Sequence, residues 1–172
     1  MKIFINAGHG GIDPGAISKN GTKEKDITQK VCSILAKKLI NNGFNVEYYQ
    51  QEKSVTDISK VENTSNSDLF ISIHCNAAEN ETANGVEVLY YPTSGKGKEY
   101  AVQVQSELVK ATNLRDRGVK TRTDLHVLKR TKAPAILVEL AFITNTKEEK
   151  LLLDSPEVFA QGIYNGIKKT IT

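Results

Sequence analysis

The sequence predicts an α/β domain in which a mostly parallel, mixed central sheet is flanked by helices. Short apolar runs alternate along the chain with segments whose apolar residues recur at helical spacing. Strands that alternate with helices in this way are typical of parallel sheets. The 172 residues, of which 39% are hydrophobic and 25% charged, are sufficient to build one buried core. We therefore expect one domain that comprises residues 1–172.

The N-terminal part of the chain is predicted to fold as strand, helix, strand and helix. Residues 2–7 form a short apolar run that ends at a glycine-rich loop, which is typical of a buried strand. From about residue 26, apolar side chains recur at helical spacing until Gly43, which predicts the end of the helix. Residues 44–49 alternate as a strand does, and residues 56–65 have a weaker helical pattern.

The rest of the chain continues the alternation. Apolar runs predict three further strands, at 69–73, 85–91 and 135–138. Helical spacing predicts three further helices, at 100–109, 147–153 and 156–171. Ser155 precedes Pro156 at the start of the last helix, which is the order expected of an N-cap followed by the first helical residue.

Composition excludes several classes of protein. The formal net charge of +3 is too small to indicate nucleic-acid binding. No uncharged apolar run approaches the ~18 residues that span a bilayer, so we expect no membrane insertion. Two cysteines cannot form a disulfide scaffold. The loop at 8–11 lacks the spacing of a phosphate-binding glycine loop.

Histidine and glutamate side chains, which can bind metals or transfer protons, follow the three most apolar strands. His9, His74 and Glu139 each come at or just after the end of such a strand, and Glu24 lies near the start of the first helix. If the strands are parallel neighbours, their carboxyl ends place these residues on one edge of the sheet. Two histidines and a carboxylate form a catalytic zinc ligand set, and a second carboxylate can act as general base. The residues alone do not decide which glutamate binds the metal.

Each of the four residues also has a purely structural interpretation. His9 can be a polar loop residue, and His74 a hydrogen-bonded histidine of the core. Glu24 can be a solvated carboxylate that the helix dipole favours. Glu139 interrupts an apolar run, and burying it without a metal, a cation or a proton would cost several kcal/mol.

Four segments resemble, in the same order, the four motifs of the zinc-dependent N-acetylmuramoyl-L-alanine amidases of the Amidase_3 family. These segments are residues 7–16 (AGHGGIDPGA), 24–26 (EKD), 70–77 (FISIHCNA) and 134–145 (PAILVELAFITN). Any one of them alone is weakly specific, whereas four in order over essentially the whole chain are specific.

The resemblance implies a mixed α/β fold, a substrate and a division of roles. His9, Glu24 and His74 would hold one zinc ion, and Glu139 would be the catalytic carboxylate, taking a proton from water and returning it to the leaving nitrogen. The reaction would be hydrolysis of the amide between N-acetylmuramic acid and the L-alanine of the stem peptide in peptidoglycan. Peptidoglycan is then the expected partner, and we expect a monomer.

Three alternatives remain open at this point. One is another zinc peptidase, such as a carboxypeptidase that acts on stem peptides, and a second is a peptidoglycan-binding module without activity. The third is a cysteine hydrolase, which is disfavoured because adjacent strand residues His74 and Cys75 point to opposite faces. Both Cys32 and Cys75 are expected to be buried. His126 is interpreted as a rim histidine, with a fourth zinc ligand as the less favoured alternative.

Eight basic residues against two acidic ones lie between residues 110 and 132. The simplest interpretation is a solvated face, and the functional one is a surface that attracts anionic wall polymer or stem-peptide carboxylates. In the second case Arg117 and Gly118 are expected to line the substrate groove. The N-terminal segment does not have the apolar length of a secretory signal. The expectation is therefore a protein that is cytoplasmic until lysis or holin-type release, or a domain excised from a secreted precursor.

Overall fold

Strands and helices alternate along the computed structural model, which describes residues 1–50 and 55–171. The strands are β1 (Lys2–Ala7), β2 (Asn45–Gln50), β3 (Leu69–Asn76), β4 (Val86–Tyr90), β5 (Asp116–Thr121) and β6 (Ala135–Phe142). The helices are α1 (Glu24–Asn41), α2 (Val55–Ser65), α3 (Gly95–Thr112), α4 (His126–Arg130), α5 (Thr146–Asp154) and α6 (Pro156–Ile171).

The six strands form one mixed sheet in the order β2-β1-β3-β6-β4-β5. Strands β2, β1, β3 and β6 are parallel neighbours, β4 runs antiparallel to β6, and β5 is parallel to β4. The carboxyl ends of β1, β3 and β6 therefore share one edge of the sheet with the amino ends of β4 and β5. The prediction of a mostly parallel, mixed sheet flanked by helices is confirmed.

The sheet is covered on both faces by apolar side chains. On one face α1, α3 and α6 pack through fully buried residues such as Leu35, Val104 and Phe159. On the other face a smaller cluster beneath α2 and α4 includes Phe4 and Phe70. Replacing a fully buried phenylalanine by alanine costs about 3–5 kcal/mol, so the two clusters hold the sheet in place. None of the helices in the described ranges is long and apolar enough to cross a membrane.

Several elements differ from the sequence predictions. Strands β3 and β6 continue beyond their predicted ends, so His74 and Glu139 lie inside the strands rather than after them. Helix α1 begins at Glu24 itself. Strand β5 and helix α4 were not predicted, because β5 is a charged edge strand that contains a glycine and α4 is a single short turn.

Candidate metal centre

Three of the predicted residues meet at the shared edge of the sheet. His9, Glu24 and His74 each offer one ligand atom, and these atoms lie within 4.8 Å of one another. Nε2 of His9 is 3.3 Å from Oε2 of Glu24, and Nδ1 of His74 is 3.1 Å from Oε1 of the same carboxylate. The buried carboxylate thus lies between two imidazoles, which is a donor set suited to a metal ion such as zinc.

Glycines allow the three side chains to approach so closely. A Cβ on Gly8 would lie 2.3 Å from Cε1 of His74, so any other residue there would displace the imidazole. A Cβ on Gly15 would lie 2.7 Å from Oε2 of Glu24, and Gly15 also has a positive φ of 65°. His9 itself adopts a φ of 62°, which turns the chain after β1 toward α1.

Asp13 orients the first imidazole. Its Oδ2 lies 2.9 Å from Nδ1 of His9, and its Oδ1 accepts a hydrogen bond from the backbone of Gly15 at 3.0 Å. A carboxylate on one ring nitrogen fixes the other nitrogen as the ligand atom, as is usual for metal-binding histidines. This role of Asp13 was not predicted from the sequence, although the residue lies four positions after His9 in the first motif.

Glu24 is held as an anion. Its oxygens accept backbone hydrogen bonds from Ala16 and Cys75, both at 2.9 Å. Burial alone would raise the pKa of Glu24, but hydrogen bonds from His74 and His9 outweigh it and hold the pKa well below its usual range. The hydrogen bond to Glu24 in turn raises the pKa of His9 to about 9. The centre therefore favours a cation between its donors, which is the requirement for a metal site.

Glu139 lies beside this group but outside it. On β6 it pairs in register with His74 on β3, while the ligand group found in the described residues contains only His9, Glu24 and His74. Its Oε2 is buried and has no hydrogen-bond partner within the described chain. Burial raises the pKa of Glu139 to about 7, which is near the optimum for a group that exchanges protons at neutral pH.

A second carboxylate near the centre, Glu87, was not predicted from the sequence. It pairs with Glu139 across β4 and β6 and accepts a hydrogen bond from Nε of Arg117 at 2.8 Å and another from Nζ of Lys120. Recognising this neighbour requires the antiparallel register of β4, which no local pattern indicates. Arg117, which was predicted together with Gly118 to line a substrate groove, donates this hydrogen bond to Glu87, the register partner of Glu139; the groove itself stays a prediction.

Four of the basic residues between 110 and 132 take part in ion pairs of the described chain. Lys110 on α3 pairs with Glu107, and Arg122 pairs with Asp124. Each of these two cations has its own local carboxylate, so in the described chain they belong to separate ion pairs. Whether the stretch is a solvated face or a surface that attracts anionic wall polymer or stem-peptide carboxylates stays a prediction.

The remaining candidate side chains lie outside the ligand group. Nε2 of His126 is 3.2 Å from Oγ of Ser59 on α2, which fits a half-buried histidine that joins α4 to α2. Cys32 and Cys75 are both buried free thiols, as predicted. Burial raises the pKa of each thiol well above its usual value, which disfavours a thiolate nucleophile.

Comparison with known proteins identifies relatives along nearly the whole chain. Residues 3–169 match the Amidase_3 family, which is described as N-acetylmuramoyl-L-alanine amidase. The chain is 36% identical over 177 residues to N-acetylmuramoyl-L-alanine amidase CwlM of Bacillus licheniformis, covering 98% of this chain and 68% of CwlM. It is 35% identical over 175 residues to N-acetylmuramoyl-L-alanine amidase LytC of Bacillus subtilis, covering 95% of this chain and 34% of LytC.

A solved structure is similar to this chain in both fold and sequence. The crystal structure of an N-acetylmuramoyl-L-alanine amidase from Clostridium difficile 630 superposes with a TM-score of 0.90 at 32% sequence identity. The match covers 99% of this chain and 96% of that one. The similarity therefore extends over nearly the whole of both chains.

Proposed function

Because the chain belongs to the Amidase_3 family of N-acetylmuramoyl-L-alanine amidases, we propose that it is a metal-dependent peptidoglycan hydrolase. The bond cleaved is the amide between N-acetylmuramic acid and the L-alanine of the stem peptide. The observation that carries the proposal is the convergence of His9, Glu24 and His74 beside Glu139. Residues 1–172 would form the catalytic domain, and the cell wall would be its place of action.

The donor set fits a zinc ion. Two imidazoles and one carboxylate leave a coordination position for the reacting groups, as catalytic zinc sites require. Asp13, hydrogen-bonded to His9, supplies the outer carboxylate that such sites use to orient a ligand. Held by His9, Glu24 and His74, zinc would act as a Lewis acid at the scissile carbonyl and make the attacking water more acidic.

Glu139 is the group that would move the proton. In the metal-free chain burial raises the pKa of Glu139 to about 7, so near neutral pH this carboxyl can exist in the charged form that accepts a proton from water. The same carboxyl can then donate that proton to the leaving nitrogen of L-alanine, so that the amine leaves neutral. Its Oε2, which has no partner in the described chain, is available for this exchange.

The substrate is a polymer, and the site suits it. The centre lies at an edge of the sheet, where the side chains of His9 and His74 are 26% and 19% exposed. A long glycan with peptide branches can therefore approach without entering the core. The chain spans 68% of CwlM and 34% of LytC, so these relatives contain additional segments whose activities are not assigned to this chain.

Two substitutions test the division of roles. Glu139→Gln should keep the metal content of the wild type and lose at least 100-fold in turnover, on the order of the loss when a general base is removed. His74→Ala should lose both metal and turnover. The measurements are elemental analysis of the purified proteins and release of soluble fragments from peptidoglycan, with Glu157→Gln on the exposed face of α6 as control. Equal metal loss in the two variants would contradict the assignment.

A further inference from the structure

A carboxylate with two cations lies on the strand next to the proposed catalytic carboxylate. Glu87 on β4 is the direct register partner of Glu139 on β6 in an antiparallel pair. Such partners project from the same face of the sheet, with Cβ atoms roughly 4.5–5.5 Å apart. The side chain of Glu87 therefore lies next to that of Glu139 on this face of the sheet.

Glu87, Arg117 and Lys120 form what we call the Glu87 cluster. Oε2 of Glu87 accepts hydrogen bonds from Nε of Arg117 at 2.8 Å and from Nζ of Lys120, and Oε1 accepts one from Nδ2 of Asn76 at 2.9 Å. Burial opposes ionisation of Glu87, but the hydrogen bonds from Lys120 and Arg117 prevail and lower its pKa. Two cations and one anion leave the cluster with a net charge of +1.

The two cations are held differently. Arg117 is fixed on three sides, because its Nη1 also lies 3.4 Å from the carbonyl of Asn84 and its guanidinium lies 4.8 Å from the ring centroid of Phe142. The side chain of Lys120 is 44% exposed, against 26% for Arg117. An ammonium group has three N–H donors, and Glu87 takes one of them. Lys120 is thus anchored at one donor and can present the others to solvent.

Neutralising Glu87 requires one cation, and Arg117 already provides it from a fixed position. Lys120 is partly exposed and has ammonium donors that Glu87 does not take, so an anionic group of the substrate would be attracted to it. The lactyl carboxyl of N-acetylmuramic acid is consumed in the scissile amide. The carboxylates close to that amide therefore belong to the peptide that follows L-alanine.

We propose that Lys120, anchored by Glu87 beside Glu139, binds a carboxylate of the stem peptide and so contributes to substrate selection. The inference rests on the proposed amidase function and assigns a substrate-binding role within that site. Charge-assisted hydrogen bonds are the strong class among protein hydrogen bonds. Loss of this contact should therefore change kcat/KM by about tenfold or more.

The test compares two muramoyl peptides that differ in one group. In one the first carboxylate after L-alanine is free, and in the other the same carboxylate is amidated. The zinc-loaded wild type should prefer the free acid by about tenfold in kcat/KM, and Lys120→Gln should reduce the preference to near one. Lys110→Gln is the matched control, since Lys110 also pairs with a glutamate but on α3, and it should keep the wild-type preference.

Different results of this test would overturn the Lys120 subsite or the amidase function. A wild type without preference, or a Lys120→Gln variant that keeps it, overturns the proposal. Equal loss of rate on both substrates, with a lower free energy of unfolding, would mean that Lys120 only neutralises Glu87, and it also overturns the proposal. A zinc-loaded wild type that cleaves neither peptide but releases stem peptides from purified peptidoglycan overturns this subsite alone, whereas one that cleaves none of the three substrates overturns the amidase function as well. If Lys120→Gln does not fold, added salt must reduce the wild-type preference, since screening weakens exposed charge pairs.

Discussion

Glu139→Gln should stabilise the metal-free protein in a manner that depends on pH. The pKa of Glu139 is about 7 in the folded chain against an ordinary value of 4.5, because burial disfavours its charged form. Below pH 4.5 the group is protonated in both the folded and the unfolded chain. As pH rises toward 7, the unfolded chain ionises first, so the free energy of unfolding falls, and the loss is complete above pH 7.

The magnitude follows from the same pKa difference. A gap between 4.5 and about 7 corresponds to about 3 kcal/mol at about 1.4 kcal/mol per pH unit. Glutamine has nearly the same shape and does not titrate. The stability of Glu139→Gln relative to wild type should therefore increase by about 3 kcal/mol between pH 4.5 and pH 8.

Urea unfolding of the chelator-treated proteins at a series of pH values measures this difference. Glu157→Gln, on the exposed face of α6, is the control for replacing a glutamate at the surface. A difference between Glu139→Gln and wild type that is constant over the whole pH range would contradict a raised pKa of Glu139. It would mean that Glu139 is solvated and that burial does not prepare it for proton transfer.

Three further predictions concern the metal centre and the loop beside it. Zinc binding at pH 7 should release about one proton, because the pKa of His9 is about 9 without metal. Calorimetry in buffers of different ionisation enthalpy measures this release. Binding without proton release would contradict the assignment of His9 as a ligand. Gly8→Ala should give folded protein that loses zinc on dialysis, because the added Cβ would lie 2.3 Å from the ring of His74; full zinc retention would contradict the geometry. Glu149→Gln should lower the free energy of unfolding by about 2–4 kcal/mol, since its carboxylate accepts hydrogen bonds from three side chains of the loop at 18–22. A loss below about 0.5 kcal/mol in urea unfolding, the level of an ordinary surface substitution, would contradict this role.

The elements that could be predicted from the sequence are those with a local pattern of apolar residues. Strands β1, β3 and β6 are continuous apolar runs, and their burial on both faces of a parallel sheet is what such runs indicate. Because parallel strands end at the same edge, the polar residues that follow them could be placed together. The sequence pattern alone is therefore sufficient to bring His9 and His74 to one location.

Other parts depend on contacts between distant segments. Strand β5 has charged residues and a glycine, because it is an edge strand, so its pattern resembles a loop. The direction of β4 is set by its pairing with β6, and only that pairing brings Glu87 next to Glu139. Asp13 contacts His9 because the chain turns after β1, where His9 has a positive φ. These features arise from register and backbone geometry, which single-sequence patterns do not encode.

The sequence pattern also does not show which glutamate, Glu24 or Glu139, lies between the two histidines. The residues alone left both possible, and the family resemblance favoured Glu24. In the structure Glu24 is contacted by both imidazoles, whereas Glu139 has a buried oxygen without a partner in the described chain. The difference arises because α1 begins at Glu24 and directs it between the two strand ends.

The most direct test of the central claim is digestion of purified peptidoglycan by the zinc-loaded protein and by a chelated sample, with the products identified by mass spectrometry. Intact stem peptides with a new N-terminal L-alanine should appear, and only when the metal is present. Release of single amino acids from the peptide ends, or cleavage that continues after chelation, would contradict a metal-dependent amidase.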